Sequence, residues 1–250
     1  MISAIIFDLD GTLVQTEKLK AQSYARAVQK LRGLPEPDER AIEAYREIVG
    51  SARDVASRHV MESLGLEAEL RGLMPEYEAS EPWEVLTAER KRIYDETVSD
   101  PRVIRDNRWP FTLDLLRVAR ETGCRTGLAT MSYRTEVMHV LRSLDIESQL
   151  DLVLTREDVE RAKPDPEIYL LAARRFDVSP SECLVLEDSP NGVRAGVAAG
   201  MNVVAIATPF TIGGLHKDQV LEHAWVVHEP EMLIKVVTDR IAEHNRTSHS

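Results

Sequence analysis

At 250 residues, 43% of them hydrophobic and 29% charged, the chain has the composition of an ordinary globular protein able to bury a sizeable core, in one large domain or two moderate ones. Its formal net charge of −11 disfavours a nucleic-acid surface, which needs clustered Lys and Arg, yet leaves room for a small anion in a local positive pocket. No apolar run nears the ~20 residues that span a bilayer, the opening MISAIIFDLD lacks a basic leader, and Cys124 and Cys183 are too few for a disulfide framework, so the expectation is a cytoplasmic protein with both thiols reduced in the core.

The first apolar run, Ala4-Ile5-Ile6-Phe7, is short, β-prone and stops at Asp8, as a strand buried on both faces does. From about residue 16 to 100 the pattern turns helical. Leu19, Tyr24, Ala27, Val28 and Leu31 form a stripe closed by Gly33 and Pro35. Ser51-Ala52-Arg53-Asp54 resembles a capping box ahead of Val55, Val60 and Leu64, and Trp83, Leu86, Ile93 and Tyr94 mark a further helix. Beyond residue 100, helical patterns (Leu115, Leu116, Ala119; Val137, Val140, Leu141, Leu144; Ile168, Leu171, Ala172) alternate with strand-like runs at Gly127–Ala129, Leu152–Leu154, Cys183–Leu186 and Val203–Ile206. This alternation predicts an α/β fold, a doubly wound Rossmann-like parallel sheet, with ligands beyond the carboxyl ends of its strands. Residues 1–15 and 101–250 would form that core, and residues 16–100 an all-helical cap inserted after the first strand.

Four short clusters end or follow predicted strands. Asp8-Leu9-Asp10-Gly11-Thr12 projects two carboxylates at i and i+2 from extended chain, beside a glycine that permits a sharp turn. Thr130 follows Gly127-Leu128-Ala129, and its hydroxyl can hold a phosphate oxygen. Lys163 is a cation in Ala162-Lys163-Pro164-Asp165-Pro166, and Glu187-Asp188 offers oxygens suited to Mg²⁺. Taken singly these are ordinary features: a turn, a helix cap, a solvated loop lysine, an acidic helix start. Together they fall at the same end of successive strands, where the fold would gather nucleophile, proton carrier, cation and metal ligands for phosphoryl transfer.

The sequence resembles the haloacid dehalogenase superfamily, in its beta-phosphoglucomutase-like and phosphoglycolate-phosphatase-like branch. Asp8-Leu9-Asp10-Gly11-Thr12 matches the first motif, Ala129-Thr130-Met131-Ser132 the second, Lys163-Pro164-Asp165-Pro166-Glu167-Ile168-Tyr169 the third, and Glu187-Asp188-Ser189-Pro190-Asn191-Gly192 with Ala198-Ala199-Gly200-Met201 the fourth. The resemblance implies that Asp8 is the nucleophile, Asp10 the general acid/base, and Thr130 and Lys163 the groups that hold the transferring phosphoryl. It implies Mg²⁺ on Asp8, the main-chain carbonyl of Asp10, and Asp188, with Glu187 nearby. Gly50-Ser51-Ala52-Arg53 resembles the substrate loop of the family's cap, so Arg53, with Lys20 and Met131, is expected to face a small phosphorylated metabolite.

Lys20 stands where the family commonly has histidine, Gln15 where it is usually acidic, and Pro110-Phe111 where Pro-Gly is usual. The first two alter the hinge and cap face and favour hydrolysis. The expectation is therefore a phosphatase working through an aspartyl-phosphate, without nucleic-acid or membrane partners. The runner-up is a sugar phosphomutase, and a third reading is a catalytically silent binding or regulatory relative. A dehalogenase would have no use for the Glu187-Asp188 pair. A monomer fits such a site, although the sequence does not fix the oligomeric state.

Overall fold

The structure, a computed structural model, describes residues 1–247. Its first strand, β1 (Ala4–Phe7), is buried along its whole length, which is why those residues show no polar alternation. It lies in the middle of a six-stranded sheet with β2 (Arg125–Ala129), β3 (Leu152–Leu154), β4 (Cys183–Glu187), β5 (Asn202–Ile206) and β6 (Val226–Val227). The strand order is β3-β2-β1-β4-β5-β6 and every pairing is parallel. The chain steps outward from β1 to β2 and β3, then returns to the other side of β1 for β4. That reversal opens a crevice at the carboxyl ends of β1, β2 and β4. The two-residue β6 carries too short a signal to be read from the sequence.

Seven helices separate β1 from β2, and the first five are α1 (Thr16–Arg32), α2 (Arg40–Arg46), α3 (Arg53–Ser63), α4 (Glu67–Leu73) and α5 (Pro82–Val98). These five bury an apolar cluster of their own, with Tyr24, Val28, Val60, Leu70 and Leu86 inside it. The stripe expected on α1 is the buried one, and Gly33 closes the helix in the left-handed conformation. The capping box expected at Ser51 does not form. Ala52 is the N-cap of α3, and the Ser51 hydroxyl instead accepts a hydrogen bond from Asn191 Nδ2 at 3.0 Å. Val55, expected on the buried stripe, is exposed because α3 begins two residues before it and turns that position outward. Among α1–α5 a box forms instead at Glu81 and Glu84, opening α5 with Pro82 in the first turn.

The remaining helices are α6 (Pro101–Asp106), α7 (Pro110–Glu121), α8 (Arg134–Leu144), α9 (Glu167–Phe176), α10 (Pro190–Ala198), α11 (Ile212–Asp218) and α12 (Leu233–Thr247). One face of the sheet, with Ile5, Phe7, Leu128, Leu184 and Leu186, packs on α6, α7, α8 and α12. The other, with Ala4, Ile6, Val185 and Val203, packs on α9, α10 and α11. Helices on both faces leave the strand ends as the open side of the sheet. Both cysteines are free thiols, Cys183 buried and Cys124 half-buried. No helix among the described residues is long and apolar enough to cross a membrane.

Candidate active site

Asp8 is the first residue past β1, its main-chain N–H bonded to the Leu186 carbonyl of β4 at 2.9 Å. Its carboxylate is buried and meets Lys163, whose Nζ donates to Asp8 Oδ1 at 2.8 Å, Glu187 Oε1 at 2.6 Å and the Ala129 carbonyl at 2.9 Å. Lys163 is only 4% exposed, so the loop places it in the core of the site and not in solvent. Its three ammonium hydrogens have three acceptors, on the ends of β1, β2 and β4. Burial works against its charge, but Asp8 and Glu187 outweigh that and hold its pKa well above the usual lysine range.

Glu187 is held from all sides. Besides Lys163, Oε1 accepts from the Tyr169 hydroxyl at 2.9 Å, and Oε2 accepts from Asp188 N, Ser189 N and Ser189 Oγ, each at 3.0 Å. Gly192 is required here, since a Cβ on it would lie 1.7 Å from Glu187 Oε1. Asp188 is the opposite case. It is 1% exposed, and neither carboxylate oxygen has a hydrogen-bond partner among the described residues. Ligand oxygens of Asp8, Glu187 and Asp188 all lie within 4.8 Å of one another. Gly11, at φ +92°, leaves the space beside them, because a Cβ there would sit 2.0 Å from Asp188 Oδ2.

Burial, resisted by Lys163 and reinforced by the neighbouring charges of Glu187 and Asp10, raises the Asp8 carboxyl from 3.8 to about 8. Asp188 is pushed well above the carboxylate range by burial, then by Glu187 and Asp8. Such a cluster is short of positive charge. Hard oxygen donors at this spacing, one of them orphaned in the interior, fit a small divalent cation such as Mg²⁺.

Asp10 faces away from this cluster. Its carboxylate is gripped by the hydroxyls of Thr16 and Ser132 and forms a salt bridge with Lys20 of α1 at 2.7 Å. Its side chain is thereby committed to α1 and to the loop after β2. Burial pushes the Asp10 pKa up, but Lys20 and the two hydroxyls outweigh it and hold the group below its usual value. Lys20 also lies 3.5 Å from Glu17 and donates to Ser132 Oγ at 3.3 Å, while Glu17 accepts from the Tyr45 hydroxyl.

Thr130 is buried at the end of β2, and its Oγ1 accepts from Ser132 N at 3.1 Å. Met131 is half-buried against the α9 side of the core and lines the same cavity as Asp8 and Asp188. Arg53, at the start of α3, reaches that cavity too, but its guanidinium is engaged: Nη2 donates to both oxygens of Glu136 on α8, at 2.6 and 2.8 Å, above the Tyr133 ring. Sequence reasoning did not single out Thr16, Ser132, Tyr169 or Glu136. Ser132 and Tyr169 lie inside the second and third motifs, whereas nothing in the sequence pairs Glu136 with Arg53, 83 residues away.

A model of the haloacid dehalogenase-like hydrolases matches residues 2–200. The chain belongs to that family. Among its relatives, a phosphorylated carbohydrates phosphatase of Thermotoga maritima is 30% identical over 200 residues, 80% of this chain and 82% of that protein. A phosphoglycolate phosphatase of Salmonella typhi is 29% identical over 215 residues, 85% and 84% of the two chains. Among solved structures, beta-phosphoglucomutase from Clostridium difficile superposes with a TM-score of 0.72 over all of both chains at 21% identity, a likeness of fold alone. The expected α/β architecture is the one this haloacid dehalogenase-like chain adopts.

Proposed function

We propose that this phosphoric monoester hydrolase is a Mg²⁺-dependent phosphatase of a small phosphorylated metabolite, acting through a phosphorylated Asp8. The observation that carries the reading is Asp8 itself, tied on one oxygen to a buried lysine and set beside the unpartnered carboxylate of Asp188. Asp8, the Asp10 carbonyl and Asp188 would hold the cation, which when bound supplies positive charge to the phosphoryl oxygens. The remaining chemistry belongs to the chain. The free oxygen of Asp8 attacks phosphorus as the bond to the leaving oxygen breaks, and Lys163 and Thr130 hold the equatorial oxygens. Asp10 gives a proton to the leaving oxygen, then takes one from the water that cleaves the acyl phosphate. The contacts with Lys20, Thr16 and Ser132 favour the Asp10 carboxylate, the form that activates that water, and release of the Lys20 contact as the helices move would ease the protonation that the first step requires.

The helices over the strand ends exclude bulk water while contacts such as Lys20 to Asp10 and Ser51 to Asn191 hold them down. The cavity holds only about 50 Å³, so admission of a phosphorylated metabolite requires the cap to move away from the core. The phosphatase relatives support hydrolysis, and the phosphomutase likeness sets the alternative to exclude. The deciding assay incubates the enzyme with Mg²⁺, beta-glucose 1-phosphate and a glucose bisphosphate primer, and follows glucose 6-phosphate and free phosphate together. Release of phosphate without isomerisation, here and across a panel of phosphorylated metabolites, is the expected result. Rapid isomerisation with little phosphate released would make the chain a mutase.

A further inference from the structure

Three of the four cations that line the cavity have carboxylate partners: Lys20 with Asp10, Arg53 with Glu136, and Lys163 with Asp8. Arg90 has none. It sits in the middle of α5, 5% exposed, and among the described residues its guanidinium donates no hydrogen bond and forms no ion pair. The guanidinium carbon lies 5.3 Å from the centre of the Tyr24 ring and 5.7 Å from that of Tyr94. The nearby hydroxyls are otherwise engaged, Tyr24 with Ser57 and Tyr45 with Glu17. The one carboxylate on α8 that lines the cavity, Glu136, is hydrogen-bonded to Arg53, lies 3.7 Å from Lys91 and reaches Arg90 only through its charge.

Aromatic faces offset only part of the cost of burying a charge, and a guanidinium keeps five N–H donors to satisfy. An anion that enters with the substrate would supply both the charge and the acceptors, in the planar, two-pronged geometry that arginine reads best. The cavity thus has two groups of opposite sign that have no hydrogen-bonded partner among the described residues. Asp188 calls for a cation at the strand ends, and Arg90 calls for an anion under α5.

We propose that Arg90 is a specificity-determining residue that binds a second anionic group, a carboxylate or a further phosphate, on the molecule whose phosphoryl group is transferred to Asp8. The inference rests on the phosphatase reading above and narrows its substrate class to phosphomonoesters bearing another negative charge. Arg53, held by Glu136, contributes to holding the helices against the core, and the free cation is supplied by a different helix.

Two matched substrate pairs test this with wild type and Arg90→Met: 2-phosphoglycolate against its neutral amide, and beta-glucose 1,6-bisphosphate against beta-glucose 1-phosphate. The readout is the ratio of kcat/KM within each pair, which separates recognition of the second charge from any general loss of rate. In wild type at least one ratio should exceed tenfold, on the order of a charge-assisted contact in a desolvated site. The pair that shows it identifies carboxylate or phosphate as the anion. In Arg90→Met that ratio should fall to near one, and Arg90→Lys should retain part of it. Ratios that are the same in wild type and Arg90→Met would overturn the proposal. So would wild-type ratios at or below one in both pairs, an outcome that needs no variant to fold. If no substrate, an aryl phosphate included, releases phosphate with Mg²⁺, the phosphatase reading fails instead. Calorimetric binding of the same pairs to wild type and Arg90→Met then decides the role of Arg90 by itself.

Discussion

Lys163 is the buried side chain at which folding and the proposed chemistry meet. Removing it leaves Asp8, Glu187 and the Ala129 carbonyl without their shared donor. Lys163→Met should therefore cost stability as well as rate, about 3–5 kcal/mol for a broken buried pair, read by urea unfolding beside phosphate release. Unchanged stability would mean that the three contacts do not persist in solution. Asp8→Asn should behave differently. An amide has nearly the same volume, and its carbonyl oxygen can accept the bond that Lys163 Nζ donates to Asp8 Oδ1. Its melting temperature should stay within a few degrees of wild type while turnover drops by about 10³-fold or more. Beryllium fluoride should form an adduct on wild type and not on this variant, as seen by fluorine NMR. A folded Asp8→Asn enzyme working near the wild-type rate would remove Asp8 from the mechanism.

At the scale of elements, the sheet is exacting where helices cross it closely. A Cβ on Gly127 of β2 would meet Phe176 Cε2 of α9 at 2.9 Å. Gly127→Ala should destabilise by about 1–3 kcal/mol, the range for overpacking, and Phe176→Leu in the same chain should recover part of the loss. A neutral Gly127→Ala would show that α9 can shift away from the strand without cost. Across the cleft, α3 and α8 are joined by Arg53 and Glu136, 18% and 15% exposed. Thermal unfolding of Arg53→Ala, Glu136→Ala and the double variant should give a coupling within about 0.5–3 kcal/mol, the range for residues in direct contact. Strict additivity would mean that the pair is open in solution.

For the molecule as a whole, the carboxylates of the site repel one another unless a cation joins them. Mg²⁺ at a hundredfold excess over its dissociation constant should stabilise the folded chain by about 2.7 kcal/mol, a rise of several degrees in Tm. Asp188→Asn should remove most of that rise, and chelation should reverse both the rise and the activity. Ca²⁺ should support little turnover, because it favours more ligands at longer distances. A Tm indifferent to Mg²⁺ would remove the metal from Asp8 and Asp188. The net charge of −11 is no obstacle to an anionic substrate, since the cations that matter line one cavity.

The sequence by itself determined the alternation of strands and helices, the helical run after the first strand, and the clustering of Asp8, Lys163 and Asp188. Each is written in local terms: continuous apolar runs for strands buried on both faces, a 3.6-residue period for helices, and reactive residues where strands stop. Only the tertiary structure decided what each charged group touches. Lys163 reads locally as a loop lysine and becomes the donor shared by three strand ends, because the β1-β4 reversal brings Asp8 and Glu187 together. Ser51 looks like a helix cap, yet it meets Asn191 across the cleft. Arg53 and Arg90 are both helix arginines in the same stretch, and nothing local says which is paired and which is left unpartnered. That difference is set by Glu136, which hydrogen-bonds Arg53 and reaches Arg90 only through its charge once α8 has packed on the sheet. Charge pairing over such separations is a property of the assembled fold, because the partners meet only after the helices have packed.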